Sequence, residues 1–357
     1  MKIIHCGDLH LDSAMEHNLT PAQARERNAE ICGTFARMVR FAAENQVEAV
    51  LIAGDLFDTR RVSLQTAEFV LNQMKNAGDV VFYYLRGNHD GADSVFAGRE
   101  LPENLKCFND RWTSYRHDSV VITGLELTEE NWENMYSNLA LDASDTNIVL
   151  LHGMESARPG EEQIAIPALR GKNIHYLALG HIHSHKLERL DADGVYAYCG
   201  CLEGRGFDEC GEKGFILLEV TGQQIRAEFV PFARRTLHEI RVDISYLTTV
   251  TEIYAALESA AEYVDADDLV KFILTGSFTP ETQKDLRFLT HMLEPRFYFL
   301  KIRDESRLKI SRESYEHDIS LKGEFIRMVL ASGKTEEEKE SIILYGLRAL
   351  AGEEVAL

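Results

Sequence analysis

The chain has 357 residues, 45% of them hydrophobic and 27% charged, a size and balance that suit a globular protein with more than one core. Its 58 acidic residues outnumber its 38 basic ones and leave a formal net charge of −20. That excludes a protein that coats nucleic acid through overall positive charge, because such binding comes from Lys and Arg neutralising phosphates; a grip on DNA would have to be local, helped by metals or shared with a partner. No apolar run approaches the roughly 18 residues that mark a membrane span, so no membrane association is expected. Met1 runs directly into an apolar strand with no secretory leader, which makes the cytoplasm the expected location. The six cysteines (6, 32, 107, 199, 201 and 210) are then expected as reduced thiols. Cys199, Cys201 and Cys210 form C-x-C-x8-C, a spacing that fits no common zinc module and reads better as small residues in a Gly-rich turn.

In chain order, short runs rich in Val, Ile, Leu and Tyr predict strands at 2–6, 49–53, 80–85, 120–124, 147–151, 176–179, 195–198 and 214–220. A long helix lies between the first two. Thr20 caps it, Pro21 suits its first position and Gln23 completes a capping box. A second helix is predicted over 64–76, stopping near Gly78. These elements make residues 1–232 one domain. After Pro231 the pattern changes to strand 237–244, helix 249–263, strand 269–275, helix 280–293 and strand 297–303, a β-α-β-α-β unit that makes 236–305 a small second domain. The remainder, 306–357, is predicted as a helical hairpin over 320–330 and 336–350. Thr335 and Glu338 form a capping box there and Gly352 stands at the C-cap position. Its apolar residues recur at helical spacing and serve either to fold the hairpin back on its parent domain or to dock a partner helix.

The residues that carry chemistry fall at the ends of predicted strands. Asp8-Leu9-His10 follows the first, Gly54-Asp55-Leu56-Phe57-Asp58 the second and Gly87-Asn88-His89-Asp90 the third. His152-Gly153 and Gly180-His181-Ile182-His183 follow two later ones. Strand ends at one sheet edge converge, and loops there commonly hold a site. In extended chain, residues i and i+2 point the same way, so Asp8 with His10, and His181 with His183, can each aim at one point. Carboxylate, imidazole and amide together suit manganese, iron or zinc. Seven candidates (Asp8, His10, Asp55, Asn88, His152, His181 and His183) exceed what one tetrahedral ion takes. Two divalent ions sharing a bridging carboxylate fit the count, and such pairs serve phosphate ester cleavage. Arg60, Arg61, Arg86, Arg158 and Arg205 lie near these motifs and are candidates to grip substrate phosphate, or to pair with the acidic residues of the chain.

The ordered set D-x-H, G-D-x-x-D, G-N-H-D, isolated H and G-H-x-H resembles the calcineurin-like metallophosphoesterase superfamily over residues 1–232. The resemblance implies a mixed α/β (α+β) fold, a two-sheet β-sandwich flanked by helices. It implies one metal on Asp8, His10, Asp55 and His183, and a second on the bridging Asp55 with Asn88, His152 and His181. It also implies His89 as the group that orients or protonates the leaving oxygen. The opening 3–11, the stretch 54–58, Gly204-Arg205-Gly206-Phe207-Asp208-Glu209 with Gly214-Phe215, and Leu321-Lys322-Gly323-Glu324-Phe325 are similar to the SbcD/YhaO-type DNA repair nucleases. That resemblance reaches nearly the whole chain. It implies a manganese-dependent exonuclease or endonuclease acting on DNA, a capping domain at 236–305, a homodimer, and an SMC-like ATPase docked through the C-terminal helices. Some relatives carry a histidine three residues after the bridging aspartate where this chain has Asp58. A carboxylate there suits orienting a ligand rather than donating a proton at neutral pH. The alternatives are a small-molecule phosphodiesterase, which the net charge favours, and a non-catalytic adaptor of the ATPase.

Overall fold

The computed structural model describes residues 1–15, 19–58, 62–90, 96, 99–310 and 312–350. The chain forms two compact units, Met1–Thr236 and Leu237–Leu357.

The first unit runs β1 (Lys2–Cys6), α1 (Pro21–Glu44), β2 (Ala49–Ala53), α2 (Leu64–Asn76), β3 (Val81–Leu85), β4 (Leu105–Cys107), β5 (Thr113–His117), β6 (Val120–Gly124), α3 (Met135–Asn138) and β7 (Thr146–His152). It continues with β8 (Met154–Ser156), β9 (Gln163–Ala165), α4 (Ile166–Leu169), β10 (Tyr176–Gly180), β11 (Lys186–Arg189), β12 (Val195–Tyr198), β13 (Gly214–Thr221) and β14 (Gln224–Pro231). Among the described residues these strands make two six-stranded sheets, ordered β14-β13-β1-β2-β3-β4 and β11-β12-β10-β7-β6-β5, and a separate β8-β9 pair. The centre of each is parallel: β1 to β4 in one, and β6, β7, β10 and β12 in the other. Strands covered on both faces read as continuous apolar runs, which is why AVLIA and YLALG were legible as strands. Alternation along β1 sends Ile3 into the layer between the sheets, with Leu51, Ile122, Leu150 and Tyr176. Ile4 and Cys6 go to the opposite face, where Ile31, Phe35 and Met38 of α1 and Val70 of α2 cover the first sheet. Met135, Tyr136 and Leu169 cover the outer face of the second sheet. The result is the helix-flanked two-sheet sandwich expected from the motifs. α1 begins with the expected capping box, Thr20 with Gln23, and Pro21 in the first turn.

The second unit contains β15 (Leu237–Asp243), α5 (Val250–Ala260), β16 (Leu269–Thr275), β17 (Ser277–Phe278), α6 (Leu286–Leu293), β18 (Phe299–Asp304), β19 (Arg307–Leu308), α7 (Arg312–Tyr315), α8 (Leu321–Leu330) and α9 (Glu336–Leu350). β15, β16 and β18 form a parallel three-stranded sheet. α6 is shorter than the helix predicted over 280–293. Gln283 N donates to Thr248 O and Asp285 caps the helix at Phe288 N, so 280–285 is spent on a turn. Residues 306–357, expected as a region of their own, place Ile326, Val329 and Ile343 in the same core as Phe272, Leu257 and Leu289. Thr335 and Glu338 form the expected capping box of α9. The C-cap expected at Gly352 lies outside the described residues. No helix of the described residues is long and apolar enough to cross a membrane.

Candidate metal centre

β1, β2, β3, β7 and β10 all end at one edge of the sandwich, and each delivers a candidate ligand there. The backbone bends sharply to do so. Asp8, His10 and Asp55 have φ of 49°, 46° and 49°, and His181 has 100°, a left-handed region that costs non-glycine residues on the order of 1–3 kcal/mol each. Such strain persists only where the surroundings impose it. Leu11 and Phe57 form a bridge between the loops after β1 and β2, and Asp8 N and His10 N donate to Gly54 O and Asp55 O. Glycines at 87, 54 and 180 are sterically required, the last because a Cβ there would lie 1.8 Å from Ala53 O. A Cβ on Gly87 would lie 2.2 Å from Asp55 Oδ1, and one on Gly54, at φ 92°, would lie 2.1 Å from His152 Nδ1.

The side chains then converge. His10 Nε2 and His183 Nε2 lie 3.1 Å apart. Asp55 Oδ2 is 3.8 Å from His10 Nε2 and 3.4 Å from His152 Nε2. Asn88 Oδ1 lies 2.9 Å from His152 Nε2 and 3.4 Å from His181 Nδ1. Asp8 accepts from His181 N at 2.9 and 3.0 Å, and Asp55 Oδ1 from His89 N at 2.9 Å. Asp8, His10 and His183 make one trio whose ligand atoms all lie within 4.8 Å of one another, and Asp8, Asp55 and His152 make another.

Three imidazoles face oxygen atoms from behind, two of them in hydrogen bonds and His10 in an ion-pair contact. His152 Nδ1 donates to Ala53 O at 2.9 Å, His183 Nδ1 to Glu209 Oε1 at 2.6 Å, and His10 Nδ1 lies 2.9 Å from Asp58 Oδ1. Acceptors there keep the proton on Nδ1 and leave Nε2 bare. Two bare Nε2 lone pairs 3.1 Å apart, beside two buried carboxylates, are stable only around a shared cation or proton. The donor set therefore fits divalent metal. Burial pushes the Asp8 carboxyl up to about 6, a shift that a nearby cation would reverse. Burial acts the same way on Asp55, but the hydrogen bond and charge of His152 and the charge of His10 outweigh it and hold Asp55 well below the usual range.

All seven expected ligands thus meet at one edge. His89 stands at the rim, 47% exposed, its ring 5.0 Å from that of His10 and its Nδ1 3.6 Å from Asp58 Oδ1. Asp58, counted with His89 as catalytic, faces His10, His89 and Arg205, and with His10 and His89 it makes a third trio whose candidate ligand atoms lie within 4.8 Å of one another. The arginines fare differently. Arg86 forks onto Glu126 and Arg205 onto Asp58 and Glu209, so both guanidiniums face carboxylates of the chain, not an open phosphate site. Arg158 is exposed on the loop after β8. Arg60 and Arg61 lie outside the described residues. Two residues were given no role from the sequence. Asp90 is buried and accepts from Phe57 N, Leu56 N and Gly87 N at 2.8, 3.2 and 3.0 Å, stitching the loops after β2 and β3 together. Glu209 anchors His183. Asp90 follows the G-N-H and Glu209 ends the stretch 204–209 already noted for its resemblance, so both could have been suspected. No cysteine joins a candidate metal cluster among the described residues, and all six are free thiols.

Comparison with known proteins agrees with the geometry. Residues 1–185, more than half of the chain, match the family described as calcineurin-like phosphoesterase. The chain is 27% identical over 277 residues to the uncharacterized metallophosphoesterase YhaO of Bacillus subtilis, covering 72% of this chain and 67% of that one. It is 26% identical over 267 residues to the DNA double-strand break repair protein Mre11 of Aeropyrum pernix, covering 68% and 64%. Mre11 of Sulfurisphaera tokodaii matches at 26% over 271 residues, covering 70% and 65%. The matched region spans about two thirds of the length of these relatives.

Proposed function

The chain belongs to the calcineurin-like phosphoesterase family and is a metal-dependent hydrolase of ester bonds, and on that premise we propose that it cuts the phosphodiester bonds of DNA in repair, working with an SMC-like ATPase. The observation that carries this reading is the convergence of imidazole Nε2 atoms around Asp55, whose carboxylate lies within 3.8 Å of His10 on one side and 3.4 Å of His152 on the other. Asp8, His10, Asp55 and His183 would hold one divalent ion, and Asp55, Asn88, His152 and His181 a second. Two such ions supply Lewis-acid charge against the phosphate and activate a water at neutral pH. The chain's own residues do the rest. Asp58 orients His10, Ala53 O orients His152, and Glu209 orients His183. The exposed His89 imidazole at the rim donates a proton to the leaving oxygen, with Asp58 Oδ1 3.6 Å from its Nδ1 to steady the ring. Manganese as the metal and a homodimer as the working form rest on the SbcD-type resemblance. A reducing cytoplasm fits six free thiols.

The test is cleavage of linear duplex and single-stranded DNA with Mn²⁺. The wild type should cut, Asp55→Ala should not, and His89→Ala should lose about 10²–10⁴-fold in rate. Hydrolysis of small phosphodiesters with no cleavage of either DNA, with or without the ATPase, would overturn the choice of substrate. The net charge of −20 favours that second reading, a small-molecule phosphodiesterase, because it weakens unaided binding to DNA.

A further inference from the structure

Behind the candidate metal ligands lies a charged network in which Asp58 and Glu209 are joined by Arg205, a residue with no part in the proposed reaction. Arg205 sits in the loop after β12 with its side chain 19% exposed. One arm, NH1, donates to Asp58 Oδ1 at 2.9 Å; the other, NH2, donates to Glu209 Oε1 at 2.9 Å and lies 3.4 Å from His183 Nδ1. Its backbone N–H donates to the second Glu209 oxygen at 2.7 Å. Asp58 Oδ1 in turn is 2.9 Å from His10 Nδ1, and Glu209 Oε1 is 2.6 Å from His183 Nδ1. The two imidazoles so held are the pair whose Nε2 atoms meet at 3.1 Å. The loop itself is pinned. The buried Arg27 of α1 donates to Gly204 O at 2.9 Å and to Glu203, and Thr34 Oγ1 donates to Glu203 at 2.7 Å.

We propose that Arg205 is a positioning residue: its guanidinium clamps Asp58 and Glu209 as a pair of carboxylates that lock His10 and His183 with both Nε2 atoms aimed at one metal position. This rests on the two-metal reading of the site. The planar fork of arginine suits a bridge between two carboxylates set apart, which a lysine ammonium cannot span in the same way. Its single positive charge also offsets the repulsion between two carboxylates that share a small, partly dry space. Without it Asp58 keeps its contacts with His10, His89 and Ser13 but loses its link to Glu209, and the carboxylate beside His10 is less firmly placed. Asp58 and Arg205 come from loops 147 residues apart yet form one unit. An aspartate at 58 is therefore matched to Arg205, where a histidine would face the guanidinium with no charge to pair.

Manganese titration of chelator-stripped protein, followed by electron paramagnetic resonance, tests this. The wild type should take two ions per chain with the exchange-coupled signature of a close pair. Arg205→Ala should keep one ion tight and weaken the other by about 10–100-fold, the usual cost of removing a residue that orients a ligand, with loss of the coupled signal. Arg205→Lys should fall between. Asp58→Asn should resemble Arg205→Ala, and the double variant should be little worse than either, since both break the same link. In EDTA the metal-free Arg205→Ala should melt below the wild type, because Asp58 and Glu209 lose their shared cation, and Arg205→Lys should melt closer to it. Two ions bound by Arg205→Ala with wild-type affinity would overturn the proposal. So would an Arg205→Ala in which both affinities fall alike, or additive effects in the double variant, because these mark a structural support only. A wild type that never takes up two ions would instead sink the two-metal reading beneath it.

Discussion

His5 lies in the layer between the two sheets, fully buried, with its Nδ1 2.8 Å from the Tyr176 hydroxyl. Burial above all, with a smaller contribution from the charge of His185, pushes its pKa down to about 3. The folded chain keeps this ring neutral while the unfolded chain protonates it near 6.5. Stability is therefore unaffected by His5 above that pH and falls by about 1.4 kcal/mol per unit as pH drops from 6.5 toward 3. Between pH 7 and 5 the wild type should lose about 2 kcal/mol that a His5→Gln variant does not lose. Urea melts at both pH values would show it, and equal losses in the two proteins would refute it. At the same scale, Gly87→Ala should drive Asp55 from its place, because the added methyl would sit 2.2 Å from Oδ1. We expect at least a tenfold loss of metal affinity by calorimetry. Unchanged affinity would mean that Asp55 is not a ligand.

At the scale of elements, the site was legible because its chemistry sits where buried parallel strands stop. AVLIA before Gly54-Asp55 and YLALG before His181 are strong strand signals, and each hands its polar residues to the same edge. Missed elements have a common cause. β5 (TSYRH) and β11 (KLER) are sheet-edge strands with polar, half-exposed sequences, so no apolar run announces them. Supporting residues were missed for another reason: Glu209 lies 26 residues after His183, and only the fold brings them within 2.6 Å. Asp90 joins two elements through three backbone N–H groups. Asp90→Ala strands those donors in a buried place and should cost about 3 kcal/mol in a denaturant melt while loosening metal binding. A cost below about 1 kcal/mol would show that the stitch is not needed.

For the whole molecule, the net charge of −20 makes an unaided hold on DNA weak and a partner the natural remedy. The C-terminal helices are where a partner was expected, and the second unit qualifies how they can be tested. Ile326, Val329 and Ile343 belong to its core, so removing both helices would expose that core as well as any docking face. Leu321 and Met328 are better handles. They are 72% and 62% exposed and seven residues apart, on one face of α8. Leu321→Glu with Met328→Glu should abolish capture of an SMC-like ATPase coiled coil and leave the melting temperature unchanged. Retained capture would move the docking site elsewhere. The motifs supplied the seven candidate ligands, and the resemblance they carry implied the sandwich. The sequence also marked Asp58 as a carboxylate suited to orienting a ligand and Arg205 as a candidate, but not their pairing with each other and with Glu209, which depends on loops far apart in the chain. The claim beneath all of this is that Asp55 joins two metal ions in one site. Its most direct test is the metal content of protein saturated with Mn²⁺ and freed of excess ions, measured by elemental mass spectrometry for the wild type and Asp55→Ala. Two ions per wild-type chain and fewer than one in the variant are expected; one or none in the wild type, or two in the variant, would contradict the account.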